Sequence, residues 1–327
     1  MLGQVLRWVY LGIGIGILIL ILIDVDFSLV SDRFLALGWL GFSLILGIYL
    51  LAFWIDAVSW LLAIDTAPIS WRWTWRAFAA RMAGEAYNAL IPAAGIGGEP
   101  IKAEIIKRRF GISLKVGGAS LVIAKTVNMI ALVAFLFFGF VMIQGMEALP
   151  NTFKTAAGLG LAVLISGTAA LFLLQRYKLI SRLAHRYTSS RGRDWIHRSL
   201  NNFEEIDQIF VNFYRHRGHL FKWALFLAFA NWLLGAAEIY LVMMFLGHPV
   251  DWTVAWIIEA ATQMMRTAAF FIPAAIGVQE GTFLFICGVF TGNPTLGIAA
   301  ALIRRAREIV WIAAGLIFAA VLSSDRR

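Results

Sequence analysis

Four charged residues interrupt the last long apolar stretch of this 327-residue sequence. They are Arg304, Arg305, Arg307 and Glu308. On a helix, Arg304, Arg307 and Glu308 share one face, because side chains three and four positions apart are neighbours. A guanidinium group binds a phosphate through two parallel hydrogen bonds. The spacing therefore predicts a polar site for an anionic group.

The surrounding stretch makes these charges costly. It runs from about 295 to 322 and is long enough to cross a membrane, where an ionised residue costs at least ~2.5–3.5 kcal/mol on insertion scales. Three arginines at that depth need a reason. One reason is a cavity that binds an anionic headgroup. The other is an internal ion-pair network with Glu259, Glu280 or Glu308, and the sequence leaves both open.

The overall composition is that of a membrane protein. Hydrophobic residues make up 61% of the chain and charged residues 14%, against about 25% charged residues in average globular proteins. The net charge of +9 favours an excess of Lys and Arg on the cytoplasmic side, facing anionic lipid headgroups, over nucleic-acid binding. The single cysteine, Cys287, excludes an internal disulfide and has no partners in a metal-binding pattern.

Long apolar stretches predict an all-α polytopic membrane protein with six transmembrane helices. The spans are predicted at about 1–23, 35–64, 116–145, 156–174, 223–246 and 295–322. Arg7 precedes the first span and an acidic loop follows it, which puts the N-terminus, and after six crossings the C-terminus, in the cytoplasm. The segment 176–222 holds ten of the 28 Lys and Arg residues and predicts a cytoplasmic loop. Its apolar spacing over 195–214 predicts a helix that lies on the inner leaflet or packs on the bundle.

One short phrase occurs twice in the chain. Residues 91–99 read IPAAGIGGE and residues 272–280 read IPAAIGVQE, with their prolines and last glutamates each 181 positions apart. The match extends upstream to Pro68 and Pro249, with ten identities in thirty-two positions. Matched proline, tryptophan and glutamate at fixed spacing indicate an internal repeat.

Each copy of the phrase ends a short apolar segment, which predicts a re-entrant helical hairpin. A helix of about 15 residues, 77–91, is too short to cross ~30 Å of hydrocarbon at ~1.5 Å per residue. Basic residues flank the first hairpin, so it enters from the cytoplasm, whereas the flanks of the second contain no Lys or Arg. In the alternative, each short segment crosses fully and the basic residues at 107–109 lie outside. The predicted apex residues are Pro92, Gly95, Gly97, Gly98, Pro273 and Gly277.

Three spans and one hairpin in each half predict an inverted repeat, the plan of many secondary transporters. The first repeat is 1–155, with its cytoplasmic hairpin at about 77–105. The second is 156–327, with the basic loop 176–222 and a periplasmic hairpin at about 252–292. Proline and glycine leave backbone groups at the first apex, 92–98, unpaired, and we expect these groups to be available for a ligand. Binding is expected near the midplane, at the interrupted helices.

A cation occurs at similar depth in both halves. Lys125, in the third span, falls within one residue of the repeat equivalent of Arg305 or Arg307. The predicted substrate-binding residues are Arg304, Arg305, Arg307, Arg266, Lys125, Asn88, Glu99, Glu280 and Glu308. Glu99 and Glu280 are expected to brace the hairpins or to carry a coupling proton. We predict no catalytic residue, no metal site and no cofactor.

Two stretches resemble a known family. GEAYNALIPAAGIGGEPIKAEIIKRR and, much later, FIPAAIGVQEG are similar to the integral membrane domain of lysylphosphatidylglycerol synthases, also called the flippase-like domain family. The family's Asn-x-x-x-Pro and Gly-Gly-Glu motifs match Asn88, Pro92 and Gly97 to Glu99, and the resemblance covers essentially the whole chain. It implies a lipid-handling protein of the bacterial inner membrane. These 327 residues include no soluble aminoacyl-transferase domain like that of full synthases, so we expect no synthetic activity and a protein closer in size to stand-alone members, among them a hopanoid-associated subgroup.

These observations lead to three hypotheses. The first is a lipid flippase or transporter, not an enzyme, that moves a phospholipid, aminoacyl-phospholipid or hopanoid between leaflets by alternating access. The alternative is a membrane scaffold that presents lipid to a biosynthetic enzyme, with 176–222 as its docking surface. A membrane-embedded transferase that uses Glu99 or Glu280 as a base is the third. The sequence gives no prediction for the oligomeric state.

Overall fold

The computed structural model describes residues 27–90, 97–177 and 204–324, and within these ranges the chain is helical and contains no strand. The helices are α1 (Phe27–Ala63), α2 (Trp71–Leu90), α3 (Glu99–Phe110), α4 (Leu114–Gln144), α5 (Asn151–Arg176), α6 (Gly218–Phe245), α7 (Trp252–Ala268), α8 (Val278–Thr291) and α9 (Pro294–Ser324). A further helical stretch, 204–211, continues into a π-helical turn, Asn212–His216.

Five helices in the described ranges are long and apolar enough to cross a bilayer, and they confirm five of the six predicted spans. They are Leu37–Ala63, Leu114–Gln144, Asn151–Arg176, Gly218–Phe245 and Pro294–Ser323. The first predicted span, about 1–23, lies outside the described residues. Large apolar side chains such as Leu159, Phe226 and Ile317 are exposed on these helices. Soluble monomers rarely expose so much apolar surface, so the chain is a multi-pass helical membrane protein.

The first arm of the first predicted hairpin is longer than predicted. It begins at Trp71 instead of about 77, and its 20 residues correspond to about 30 Å. The argument from length therefore fails for α2, although its charged residues keep it out of the candidate spans. The guanidinium of Arg76 lies 4.8 Å from the ring of Trp73 and 4.9 Å from that of Phe110. The first turns of α2 and the end of α3 are therefore adjacent.

Helices α6 to α9 have the same order of lengths as α1 to α4, a long helix, two shorter ones and a long one. Helices α7 and α8 are short, with 17 and 14 residues. The last helix of the first half, α4, and the last helix of the second half, α9, have 31 residues each. Gly111 ends α3 and Gly292 ends α8, both with a left-handed backbone, at φ 74° and 69°. These glycines are 181 positions apart, the same offset as in the repeated phrase. Helix lengths and caps therefore agree with the internal repeat.

Helices pack closely through small residues, both between the two halves and within the first half. A Cβ atom added to Gly315 of α9 would lie 2.5 Å from the carbonyl oxygen of Met82 in α2. A Cβ atom on Gly98 would lie 1.9 Å from the carbonyl oxygen of Gly84. Backbone therefore touches backbone at both places, as is usual for helices that pack inside membranes.

The segment before α6 packs on the bundle, which selects one of the two predicted arrangements for its described part. Phe210, Phe213 and Tyr214 are buried. The Tyr214 hydroxyl donates to Gln175 at 2.6 Å, and the Gln175 amide donates to Thr126 at 2.7 Å. Burial raises the pKa of Tyr214, so its hydroxyl stays protonated and remains a donor.

Replacing Gly98 tests the contact between α2 and α3. Gly98→Ala forces the helices apart, and we expect a loss of about 1–3 kcal/mol or more, as for other overpacked sites. Gly118→Ala is the matched control, because a Cβ atom there meets nothing within 4 Å. It should leave stability unchanged or raise it by up to about 1 kcal/mol. Thermal unfolding of the purified variants measures both effects, and equal midpoints would contradict the close contact.

Candidate functional site

Charged side chains of α6 to α9 form one buried network, which we call the arginine cluster. Its members are Arg266, Arg304, Arg305, Arg307, Glu238, Glu259, Glu280 and Glu308. Four guanidinium groups thus face four carboxylates. The cluster carries no net charge, which lowers the cost of holding it among apolar helices.

The two innermost arginines join α9 to α6 and α7. Arg304 is 3% exposed and lies 2.8 Å from a carboxylate oxygen of Glu259. Arg307 is fully buried and donates to Glu238. A Cβ atom on Gly235 of α6 would lie 2.9 Å from Glu259 Oε1, so this glycine admits the carboxylate. Each innermost charge therefore has its partner on a neighbouring helix.

Arg305 binds the segment that connects α7 to α8, where the second apex is predicted. Its Nε donates to Glu280 Oε1 at 2.6 Å, and its terminal nitrogens donate to the carbonyl oxygens of Ala274 at 3.0 Å and Ala275 at 3.4 Å. Glu280 also accepts from the backbone N–H of Gly277 at 2.8 Å, which caps α8. Arg305 and Glu280 therefore bind backbone groups of the segment between α7 and α8.

Arg266, at the end of α7, completes the cluster. It donates to Gln279 at 2.7 Å and lies 3.4 Å from Glu308. Of the two explanations that the sequence left open, internal ion pairing thus applies to every predicted arginine of the cluster. Binding of a ligand by these arginines stays a prediction.

The sequence did not identify Glu238 as a partner. The internal repeat could have pointed to Glu238, because an acidic residue of the first half, Asp56, lies within one residue of the position that corresponds to it.

A second polar group lines a cavity of about 100 Å³ between α1, α2, α3 and α4, which we call the polar cavity. Its charged lining residues are Asp56, Arg81, Glu85, Glu99, Lys102 and Lys125. None of the four arginines of the cluster lines it. One water molecule needs about 10–15 Å³ when cavity volume is measured in this way, so the cavity has room for several waters or a small polar group.

Five of the six charges in the polar cavity are paired with one another. Arg81 donates to Asp56 and, at 2.6 Å, to Glu85. Lys102 lies 2.8 Å from Glu99. Lys125 makes no ion pair or hydrogen bond with any described residue, although it lines the cavity and its side chain is exposed.

The repeated phrase shapes the wall of the polar cavity. The side-chain oxygen of Asn88 accepts from the backbone N–H of Gly98 at 2.6 Å, which holds the start of α3 against α2. A Cβ atom on Gly84 would lie 2.4 Å from Cγ of Lys102, so Gly84 makes room for the stem of that lysine. The motif residues thus place Glu99 and Lys102 at the cavity.

The predicted site residues therefore fall into two groups instead of one. Lys125, Asn88 and Glu99 line the polar cavity, while Arg266, Arg304, Arg305, Arg307, Glu280 and Glu308 form the arginine cluster. Pro92 and Gly95 lie outside the described residues, so a meeting of the two apices stays a prediction. Arg81, Lys102 and Trp60 were missed; Lys102 follows Glu99 by three positions, a spacing that predicts an ion pair.

Aromatic rings of α1 connect the two groups. The guanidinium of Arg307 lies 3.5 Å from the centre of the Tyr49 ring. Tyr49 meets Phe53 edge-on at 4.7 Å, and the guanidinium of Arg81 lies 5.2 Å from the Phe53 ring. A cation over an aromatic face is attracted by the ring's negative π-face. The cluster and the cavity therefore share one helix face as their common wall.

The described part of the chain contains no cluster of His, Cys, Asp and Glu suited to a metal ion.

Fold and site together define a multi-pass helical membrane protein with a charge-balanced buried network and a polar cavity at a repeated motif. A family model described as the lysylphosphatidylglycerol synthase TM region matches residues 8–315. The chain belongs to this family, which is tied to lipid handling, and the resemblance seen in the motifs is confirmed. The hopanoid-associated subgroup stays a prediction.

Comparison with curated proteins and comparison with solved structures each return no match.

Removing one partner of a buried pair tests the arginine cluster. Glu238→Gln removes the carboxylate that accepts from the buried Arg307 and leaves Glu308, at 3.7 Å, as its remaining partner, and we expect a loss of about 3–5 kcal/mol. Glu104→Gln is the control, because its pair with Arg108 is largely exposed and should contribute about 0–1 kcal/mol. Unfolding of the purified variants in detergent gives the comparison.

The double variant Glu238→Gln/Arg307→Met supplies a second check on this pair. Removing both charges should recover part of the loss, because no isolated buried charge remains. A double variant as unstable as the sum of the single ones would contradict direct pairing.

Proposed function

We propose that the protein is a flippase that moves a polar-headed lipid between the leaflets of the membrane by alternating access. Membership of a lipid-handling family supports a lipid substrate. The observation that carries the proposal is Lys125, a cation without a counter-charge among the described residues, at a polar cavity beside a spanning helix. The role is transport and not catalysis of a covalent reaction.

Depth in the membrane makes Lys125 informative. It follows Leu114, the first residue of α4, by eleven positions, or about 16 Å along the helix. A charged side chain at such depth costs several kcal/mol unless an opposite charge or water compensates it. An anionic lipid headgroup in the polar cavity supplies that charge, while the acyl chains remain in the bilayer.

The arrangement of the short helix pairs supports an inverted repeat. At one end of the bundle, Arg109 at the end of α3 donates to the carbonyl oxygen of Leu322 at 2.7 Å. At the other end, Leu246, Leu149 and Leu296 share one apolar cluster, next to the loop that precedes α7. In our proposal α2 and α3 enter from the cytoplasm and α7 and α8 enter from the opposite side. One central site then opens to each leaflet in turn.

Labelling of introduced cysteines tests the opposite orientation of the pairs. In a Cys287→Ser background, a membrane-impermeant maleimide should label Arg72→Cys and Lys107→Cys from the cytoplasmic side. It should label Asp251→Cys and Pro294→Cys from the other side. All four parent residues are exposed, whereas Cys287 is buried. Labelling of all four positions from one side would contradict the inverted repeat.

Lipid movement itself is measured in vesicles. The purified protein is reconstituted with fluorescent phospholipids, and the fraction of label that a membrane-impermeant quencher reaches is followed over time. We expect faster exchange than in protein-free vesicles. We also expect at least about a tenfold loss for Lys125→Gln, because a pair worth about 1.4 kcal/mol gives a factor of ten. Lys154→Gln is the control, since Lys154 lies outside the cavity and contacts the backbone of Gln144.

Two results of the vesicle assay would contradict the proposal. One is exchange no faster than in protein-free vesicles for phospholipid and hopanoid probes alike. The other is a Lys125→Gln variant as active as wild type. Loss of function in cells on neutralising the basic segment 176–222, with no lipid movement by the wild type, would favour the scaffold instead.

A further inference from the structure

The charges of the polar cavity are unevenly distributed. One guanidinium, that of Arg81, serves two carboxylates, Asp56 and Glu85, which leaves an excess of negative charge on that side. Lys102 and Glu99 neutralise each other. Lys125 then leaves an excess of positive charge on α4. The cavity as a whole is neutral, but it has a negative and a positive side.

The negative side has acceptors to spare. Arg81 uses Oδ2 of Asp56 and Oε2 of Glu85. The second oxygen of each carboxylate accepts no hydrogen bond from a described residue. Neither of these oxygens is fully buried. Both oxygens are therefore accessible to a donor inside the cavity.

Lys125 and Glu85 are close but do not form an ion pair. Both side chains line the polar cavity, while their charged atoms are separated by more than the 4.0 Å of a salt bridge. The gap between them is part of the cavity. A ligand that fills this gap meets an ammonium group on one side and two carboxylates on the other.

We infer that the polar cavity binds a zwitterionic headgroup, namely a phosphate ester that carries a primary ammonium group. The phosphate contacts Lys125, and the ammonium donates to the spare oxygens of Asp56 and Glu85. The amides of Asn88 and Asn128, which also line the cavity, provide neutral hydrogen bonds. This inference rests on the proposed lipid transport and names its substrate class.

Lipids of other charge fit less well for electrostatic reasons. A purely anionic headgroup satisfies Lys125 but places its other oxygens against Asp56 and Glu85, and like charges at close range repel strongly at low dielectric. A purely cationic headgroup satisfies the carboxylates and leaves Lys125 uncompensated. Discrimination thus comes from repulsion of the wrong charge as well as from attraction of the right one.

Binding in detergent tests this inference without any transport step. The full chain is titrated with three dioctanoyl lipids, phosphatidylethanolamine, phosphatidylglycerol and the cationic ethylphosphocholine, and the shift in unfolding temperature gives each apparent Kd. We expect phosphatidylethanolamine to bind at least about tenfold more tightly than either of the others. Tighter binding of phosphatidylglycerol, or equal binding of all three, would overturn the inference.

A soluble compound separates the lipid from its headgroup. Glycerophosphoethanolamine has the same charges without acyl chains, and it should bind more weakly than the lipid because no chain contributes. Equal affinity would overturn the assignment to a lipid and identify a site for free phosphoesters.

Reciprocal variants test the two sides of the cavity separately. Glu85→Gln and, independently, Asp56→Asn remove negative charge and should shift the preference towards phosphatidylglycerol. Lys125→Gln should shift it towards the cationic lipid. Glu104→Gln and Lys154→Gln, both outside the cavity, should keep the wild-type order. Variants that all keep that order would overturn the inference, and the lipid-free unfolding temperature shows whether each variant is folded.

The binding and transport experiments test the headgroup assignment and the flippase separately. Preference for the zwitterion in detergent with no movement in vesicles would refute the flippase and leave the headgroup assignment standing. Movement in vesicles without this preference would refute the headgroup assignment and leave the flippase standing.

Discussion

Charge balance inside an apolar bundle is the constraint on which the rest of the structure depends. The hydrocarbon core of a bilayer offers neither water nor counter-ions, so a charged side chain there needs a partner on a neighbouring helix. Arg305 joins α9 to α8 through Glu280, and Arg304 joins α9 to α7 through Glu259. Because an unpaired buried charge costs several kcal/mol, these pairs determine which helices can pack together.

Glycine residues make the pairing geometrically possible. Gly235 admits the carboxylate of Glu259, and Gly84 admits the stem of Lys102. A side chain at either position would push the helices apart and lengthen the ion pair behind it. At these two pairs, Arg304–Glu259 and Lys102–Glu99, the charge pairing thus depends on a glycine that lets the helices come close.

The sequence predicted the elements better than their rotation. Hydropathy located five spans of the described chain, and the predicted apex residues Gly98 and Gly277 lie directly before α3 and α8. The sequence did not predict that Arg305 and Arg307, two positions apart, pair with different helices. Spacing along one helix fixes which residues share a face, but not which neighbour that face meets. That depends on packing between helices distant in sequence.

The number of cations in a region therefore does not show which of them lack a counter-charge. The arginine cluster holds the most positive charge in the spans, yet each guanidinium has a carboxylate within 4 Å, and its cost of burial is offset internally. The polar cavity holds fewer cations, but one of them, Lys125, has no partner among the described residues. Compensation is complete in the first group and incomplete in the second. Because an uncompensated charge inside a membrane is costly, the proposed ligand is placed at Lys125, where the internal pairing stops.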